Sequence, residues 1–213
     1  MPRISSRVIL LLAVVAVLGM FALYMLSTKQ VAAAADECTP PTSRHLEVPL
    51  VPQKTDNWCW AASAQMVKNF LHPSQDWDQC DEASKPGMNC CANQMPKDCD
   101  KTGWPSFRPP DFSSLDSGGP SKPPLEWEKI NKEIGCFERP FVFAWRFVGG
   151  GRHIVVVVGY SYGTDGTKFI EINNPLPREG GSFYGVSYDW YTGQGENAQT
   201  HWRDFYEIKY KGP

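Results

Sequence analysis

The sequence predicts an α+β fold: a helical first part followed by an antiparallel sheet. Three observations carry this. Good helix formers with apolar residues three and four apart fill residues 59–71. From Phe141 onward, runs rich in β-branched and aromatic residues alternate with glycine turns. No helix-patterned segment separates those runs, so no crossover is available to make the strands parallel. The chain has 213 residues, 42% of them hydrophobic, which is enough for a substantial core.

The elements follow in order. Residues 36–44 read as a polar, proline-bearing linker. His45 to Val51 alternates Leu46, Val48 and Leu50 and reads as a brief strand. Thr55-Asp56-Asn57 offers N-cap chemistry for a helix that opens at or just before Cys59 and ends at His72-Pro73. A short helical turn is expected over Trp77 to Ala83. From Gln75 to Pro124 the pattern otherwise breaks down, and Trp104–Pro124 carries six prolines in 21 residues. That span is read as an irregular surface loop, with a lid over a cleft left open. Leu125 to Ile134 reads as a second helix with Gly135 as its C-cap. Strands are expected over Phe141–Val148, His153–Tyr162, Lys168–Ile172, Tyr184–Tyr191 and Phe205–Tyr210.

Compartment is read from the N-terminus. Arg3 and Arg7 precede an uncharged apolar run from Val8 to Leu26, and Ala33-Ala34-Ala35 forms a small-residue exit before Asp36. Residues 1–35 are therefore a signal peptide or a signal anchor, both readings being open, and 36–213 lie outside the cytosol. Removing 1–35 takes away three basic groups and no acidic one, so the net charge goes from -2 to -5. That balance excludes nucleic acid as the main partner. Seven cysteines in an exported chain leave one over after pairing. Cys80, Cys90, Cys91 and Cys99 are expected to pair mostly among themselves, with Cys38–Cys136 as an open option. Without a CxxC pair they do not suggest a metal, and neither metal nor cofactor is expected.

The seventh is Cys59. At a helix N-terminus, exposed N–H groups and the helix dipole favour a thiolate, the nucleophilic form. Gln53, six residues earlier, carries an amide that can donate to an oxyanion together with the Cys59 N–H. His153 opens an apolar strand after three glycines, a rigid place from which to aim an imidazole. Asn174 ends the next strand and shares a face with Ile170 and Ile172; its amide can accept the imidazole N–H. Asn173 stays open as the alternative. His45, His72 and His201 are read as surface residues, and Trp60 as core. Trp190 is read first as core and second as a shield for His153 and Asn174.

Gln53-x5-Cys59-Trp60, the strand His153 to Tyr160 and Ile172-Asn173-Asn174-Pro175 resemble the papain-like cysteine peptidases. The similarity is greatest to the small bacterial C39-like and AvrRpt2-type (C70) branch, over residues 47 to 210. It implies a helical lobe (about 47–135), an antiparallel β lobe (about 138–211) and an active-site cleft between them. It also implies Cys59 as nucleophile, His153 as acid/base, Asn174 as its orienter and Gln53 as oxyanion donor. That branch commonly has Asp at the Asn174 position, whereas papain uses Asn. The expected activity is hydrolysis of a polypeptide substrate through a thioester, by a monomer that meets a membrane only if residues 1–35 stay uncleaved. Two rivals remain: a Cys-His amidase acting on cell-wall peptides, and a binding or toxin module that keeps the fold without turnover.

Overall fold

The structure, a computed structural model, describes residues 38–119, 122–147, 149–194 and 200–212. The signal or anchor segment lies outside the described residues. Pro40–Pro213 form one compact unit; of the other unit, Met1–Thr39, only Cys38 and Thr39 are described.

The elements of the larger unit are β1 (Arg44–His45), α1 (Cys59–Leu71), α2 (Gln79–Ala83), a 3-10 turn (Lys97–Cys99), β2 (Phe112–Asp116), α3 (Trp127–Asn131), β3 (Phe141–Arg146), β4 (Arg152–Tyr162), β5 (Lys168–Asn174), β6 (Ser182–Ser187), α4 (Tyr188–Tyr191) and β7 (Thr200–Tyr210). The α+β class is as the sequence predicts. One antiparallel sheet runs β2-β7-β3-β4-β5-β6, with β1 added onto the C-terminal half of β4. β4 is its centre. Residues 153–160 are all buried, because β3, β5 and β1 flank the strand and both faces are covered.

α1 is the longest helix, and its composition explains its place. Ala61, Ala62, Ser63 and Ala64 are fully buried, and such small side chains let the helix backbone come close to the sheet. The Ser63 hydroxyl donates to the Ile154 carbonyl of β4 at 3.2 Å, and Met66 and Val67 fill the space beyond. The N-terminal turn of α1 is thereby set against the start of β4. At the other end, Lys68 pairs with Glu82 of α2, with side chains 9% and 7% exposed. Glu82 also accepts the Ser106 N–H at 2.6 Å.

Several expectations are corrected. The N-cap of α1 is Trp58 and makes no side-chain cap bond. The Thr55 hydroxyl and the Asn57 N–H instead donate to the Asp100 carboxylate at 2.7 and 3.1 Å, bracing the loop before the helix rather than capping it. The first strand is only Arg44–His45; one further bond, from the Leu46 N–H to the Val158 carbonyl at 2.8 Å, follows it. Trp104–Pro124 is not irregular throughout: Phe112–Asp116 pairs with β7 as the edge strand. The second helix starts at Trp127 and widens into a π-turn over Lys132–Cys136, so Gly135 lies inside the turn and is no cap. Close approach is what Gly135 serves, since a Cβ there would sit 2.5 Å from the Tyr160 hydroxyl. Tyr188–Tyr191 is a helix, α4, capped by the Ser187 hydroxyl, which accepts the Trp190 N–H.

Cys80–Cys91 and Cys90–Cys99 are disulfides, as the clustering led one to expect. Cys38 and Cys136 are disulfide-bonded as well. Among the described residues Cys59 is the free thiol. No helix among them is long and apolar enough to cross a membrane.

Candidate active site

Cys59 opens α1, and the Ile154 N–H of β4 points at its sulfur together with the N–H groups of Trp60 and Cys59 itself. Burial nevertheless outweighs these amides and pushes the thiol above its ordinary value. This corrects the expectation of a thiol acidified by the helix terminus: the amides are there, but so is the desolvation.

His153 precedes Ile154 on β4, so the contact between Ile154 and Cys59 sets the backbone of the histidine beside the opening turn of α1. His153 is 4% exposed, and its Nε2 lies 2.7 Å from Asn174 Oδ1. The orientation of the Asn174 amide is fixed independently. Oδ1 also receives the Leu176 N–H at 2.9 Å, which only an oxygen can accept, while Nδ2 donates to the Tyr184 hydroxyl at 3.1 Å. His153 Nε2 is therefore the protonated nitrogen, and Nδ1 is left with the lone pair. Burial holds the imidazole below its ordinary value, although the Asn174 bond works the other way. Asn173 faces the opposite side of β5 and donates to the Val48 carbonyl at 2.8 Å.

Gln53 is 2% exposed, and its backbone N–H donates to the Pro175 carbonyl at 3.0 Å, tying it to the Asn174 turn. Its Nε2 donates to the carbonyls of Thr55 (2.7 Å) and Asp56 (3.0 Å), while Oε1 is buried without a partner among the described residues. Both amide protons are thus engaged within its own loop. Three links relate the four residues singled out in the sequence: Asn174 bonds His153 directly, Gln53 is tied to Pro175, next to Asn174, and Cys59 to Ile154, next to His153.

The surroundings hold residues that sequence reasoning missed. Trp145, the cross-strand partner of His153, meets it edge-on at 5.0 Å between ring centroids, and the exposed Phe147 stacks on it at 6.2 Å. Trp190 packs on Trp145 at 5.3 Å, one ring removed from the histidine it was thought able to shield. Tyr184 supports Asn174. Trp145, Phe147 and Tyr184 could not be found without the strand register. On the thiol side, the indole N–H groups of Trp58 and Trp60 donate to the carbonyls of Cys99 and Lys101, so the 99–103 loop borders the start of α1. Gly103 lies flat on Trp60, where a Cβ would come within 2.6 Å of the ring.

His45 and His72 are outside the site: His45 pairs with Glu171 at 2.7 Å, and His72 stacks on Tyr210 at 3.8 Å. His201 is not a surface residue. It is 7% exposed, against Tyr191 and Phe143, with Nε2 3.0 Å from Asp204 Oδ2, because its strand turns it inward beside β3. Cys80, Asp81 and Cys91 lie close enough to suggest a metal, but the two sulfurs form a disulfide and leave no thiolate ligand.

A free cysteine at a helix start, a histidine on an adjoining strand and an amide behind it define a cysteine-peptidase type of site. Residues 45–209 match the sequence pattern of the Peptidase_C39 like family, and the chain belongs to that family. It is a cysteine peptidase of that family. No curated protein matches it. Among solved structures it is similar to bromelain protease from Ananas comosus in complex with the E64 inhibitor. That identity is 11% over 81% of this chain and 100% of bromelain, with a TM-score of 0.46. It is likewise similar to the ragweed pollen cysteine protease Amb a 11 in its proform, at 14% identity over 83% of this chain and 61% of that one, with a TM-score of 0.49.

Proposed function

We propose that the protein is an exported, monomeric endopeptidase that cleaves polypeptides through Cys59, His153 and Asn174. The single observation that carries the reading is the fixed tautomer: with Asn174 Oδ1 bound to Nε2–H, His153 keeps a basic Nδ1 for the thiol proton. The Cys59 sulfur attacks the peptide carbonyl as its proton passes to His153. Developing charge on the carbonyl oxygen meets the Cys59 N–H, and Gln53 Nε2 joins by giving up its longer bond, to Asp56. His153 then hands its proton to the departing amine. A water deprotonated by the same nitrogen hydrolyses the thioester. Export is supported by the disulfides, which persist in oxidising compartments, and by the charged and apolar pattern of residues 1–35.

An epoxide inhibitor of cysteine proteases tests this. Wild type is labelled at Cys59 and hydrolyses casein, while Cys59→Ala does neither. Absence of labelling together with no hydrolysis of casein or purified peptidoglycan overturns the enzymatic reading, and cleavage of peptidoglycan alone converts it to an amidase.

A further inference from the structure

β4 starts with Arg152, directly before His153, and its cross-strand partner on β3 is Arg146. Both are exposed. The Arg152 guanidinium lies 5.0 Å from the Trp104 ring and 5.3 Å from the Trp202 ring, and that of Arg146 lies 5.5 Å from Trp202. Indole faces hold such planes in place and leave the N–H edges free to receive a carboxylate bidentately. Like charges directly opposite on neighbouring strands repel, so the pair is held at a cost that an anion would relieve. Among the described residues the arginines in ion pairs are Arg44, Arg139, Arg178 and Arg203; Arg146 and Arg152 have no carboxylate partner. Arg203 makes the contrast: it too stacks on Trp104, at 4.8 Å, but Asp116 closes it. The patch also connects to the thiol side, because Trp104 follows the Gly103 that lies on Trp60.

We propose that Arg146 and Arg152, ordered by Trp104 and Trp202, bind an acidic side chain of the polypeptide substrate. This rests on the peptidase reading above. Arg152 adjoins His153 along β4 with its side chain on the opposite face of the strand, and its stacking on Trp104 carries the patch toward Trp60 and Cys59. The site deepens the reading to a substrate class: polypeptides with Asp or Glu near the scissile bond.

The test uses fluorogenic peptide pairs differing by Glu or Gln at each of the three positions on either side of the scissile bond. Wild type prefers Glu at one of them by about tenfold in kcat/KM at low salt, shrinking to about twofold in ~0.5 M salt, as for two exposed ion pairs. R146Q/R152Q brings the ratio close to one. R44Q, which removes a distant exposed charge, leaves it unchanged. A wild-type ratio near one, or a ratio unaffected by R146Q/R152Q, overturns the site. Binding of the same peptides to Cys59→Ala, read by fluorescence anisotropy, separates the site from the catalytic reading. A Glu preference there, with no cleavage by wild type, supports the site and removes the peptidase. Cleavage without Glu preference does the reverse.

Discussion

Asn174→Asp is the substitution whose outcome the geometry defines most closely. The carboxylate keeps the two acceptor contacts of the native oxygen, to His153 Nε2 at 2.7 Å and Leu176 N–H at 2.9 Å. Its second oxygen replaces the Asn174 nitrogen that now meets the Tyr184 hydroxyl at 3.1 Å, and that hydroxyl can turn its proton to donate. Shape is retained and only charge is added. With charge centres ~4 Å apart, a carboxylate and an imidazolium attract by about 4 kcal/mol at an effective dielectric of ~20. Desolvation of the new carboxylate offsets part of this, leaving a net rise in the His153 pKa. Burial now holds His153 below its ordinary value. The acid limb of kcat/KM, which needs neutral His153, should therefore lie below pH ~6.5 in wild type and move to higher pH in Asn174→Asp. NMR titration of His153 in a Cys59→Ala background reads the same shift without turnover. An unmoved titration in a folded Asn174→Asp protein would refute the reasoning. Asn173→Asp is the contrast: it sets a carboxylate against the Val48 carbonyl and should cost about 2–4 kcal/mol in urea unfolding without moving His153.

Three further outcomes follow. Because folded His153 has a lowered pKa, the unfolded chain binds more protons just below pH ~6.5. Its contribution is complete above that pH and is lost as the pH falls toward the folded value, so urea midpoints between pH 7 and 5 should drop more steeply in wild type than in His153→Gln. Equal slopes would contradict the buried imidazole. Gly135→Ala drives a methyl into the Tyr160 hydroxyl, which donates to the Pro41 carbonyl at 2.7 Å, and should lower stability by about 1–3 kcal/mol in equilibrium unfolding. Glu82→Ala strands the buried Lys68 ammonium and should cost about 3–5 kcal/mol. The double variant Lys68→Met/Glu82→Leu should recover most of that; if it is no better than the single change, the pair is not the cause.

The sequence by itself determined the elements whose signals are local. α1 is legible from its spacing, from Cys59 to His72-Pro73, because an amphipathic helix writes its buried stripe into neighbouring residues. β3, β4 and β5 are legible as β-branched runs between glycine turns. Cys59 stood out as the odd cysteine, and parity alone put Asn174 rather than Asn173 on the face that bonds His153. Tertiary structure decided the rest, because pairing partners are not encoded nearby. Register brought Trp145 onto His153, turned His201 inward, drew Phe112–Asp116 out of a proline-rich span onto β7, and set Arg146 opposite Arg152. Burial is likewise collective. The helix terminus argued for an acidic thiol, but packing against β4 removed the water that would stabilise the charge, and that desolvation outweighs the amides.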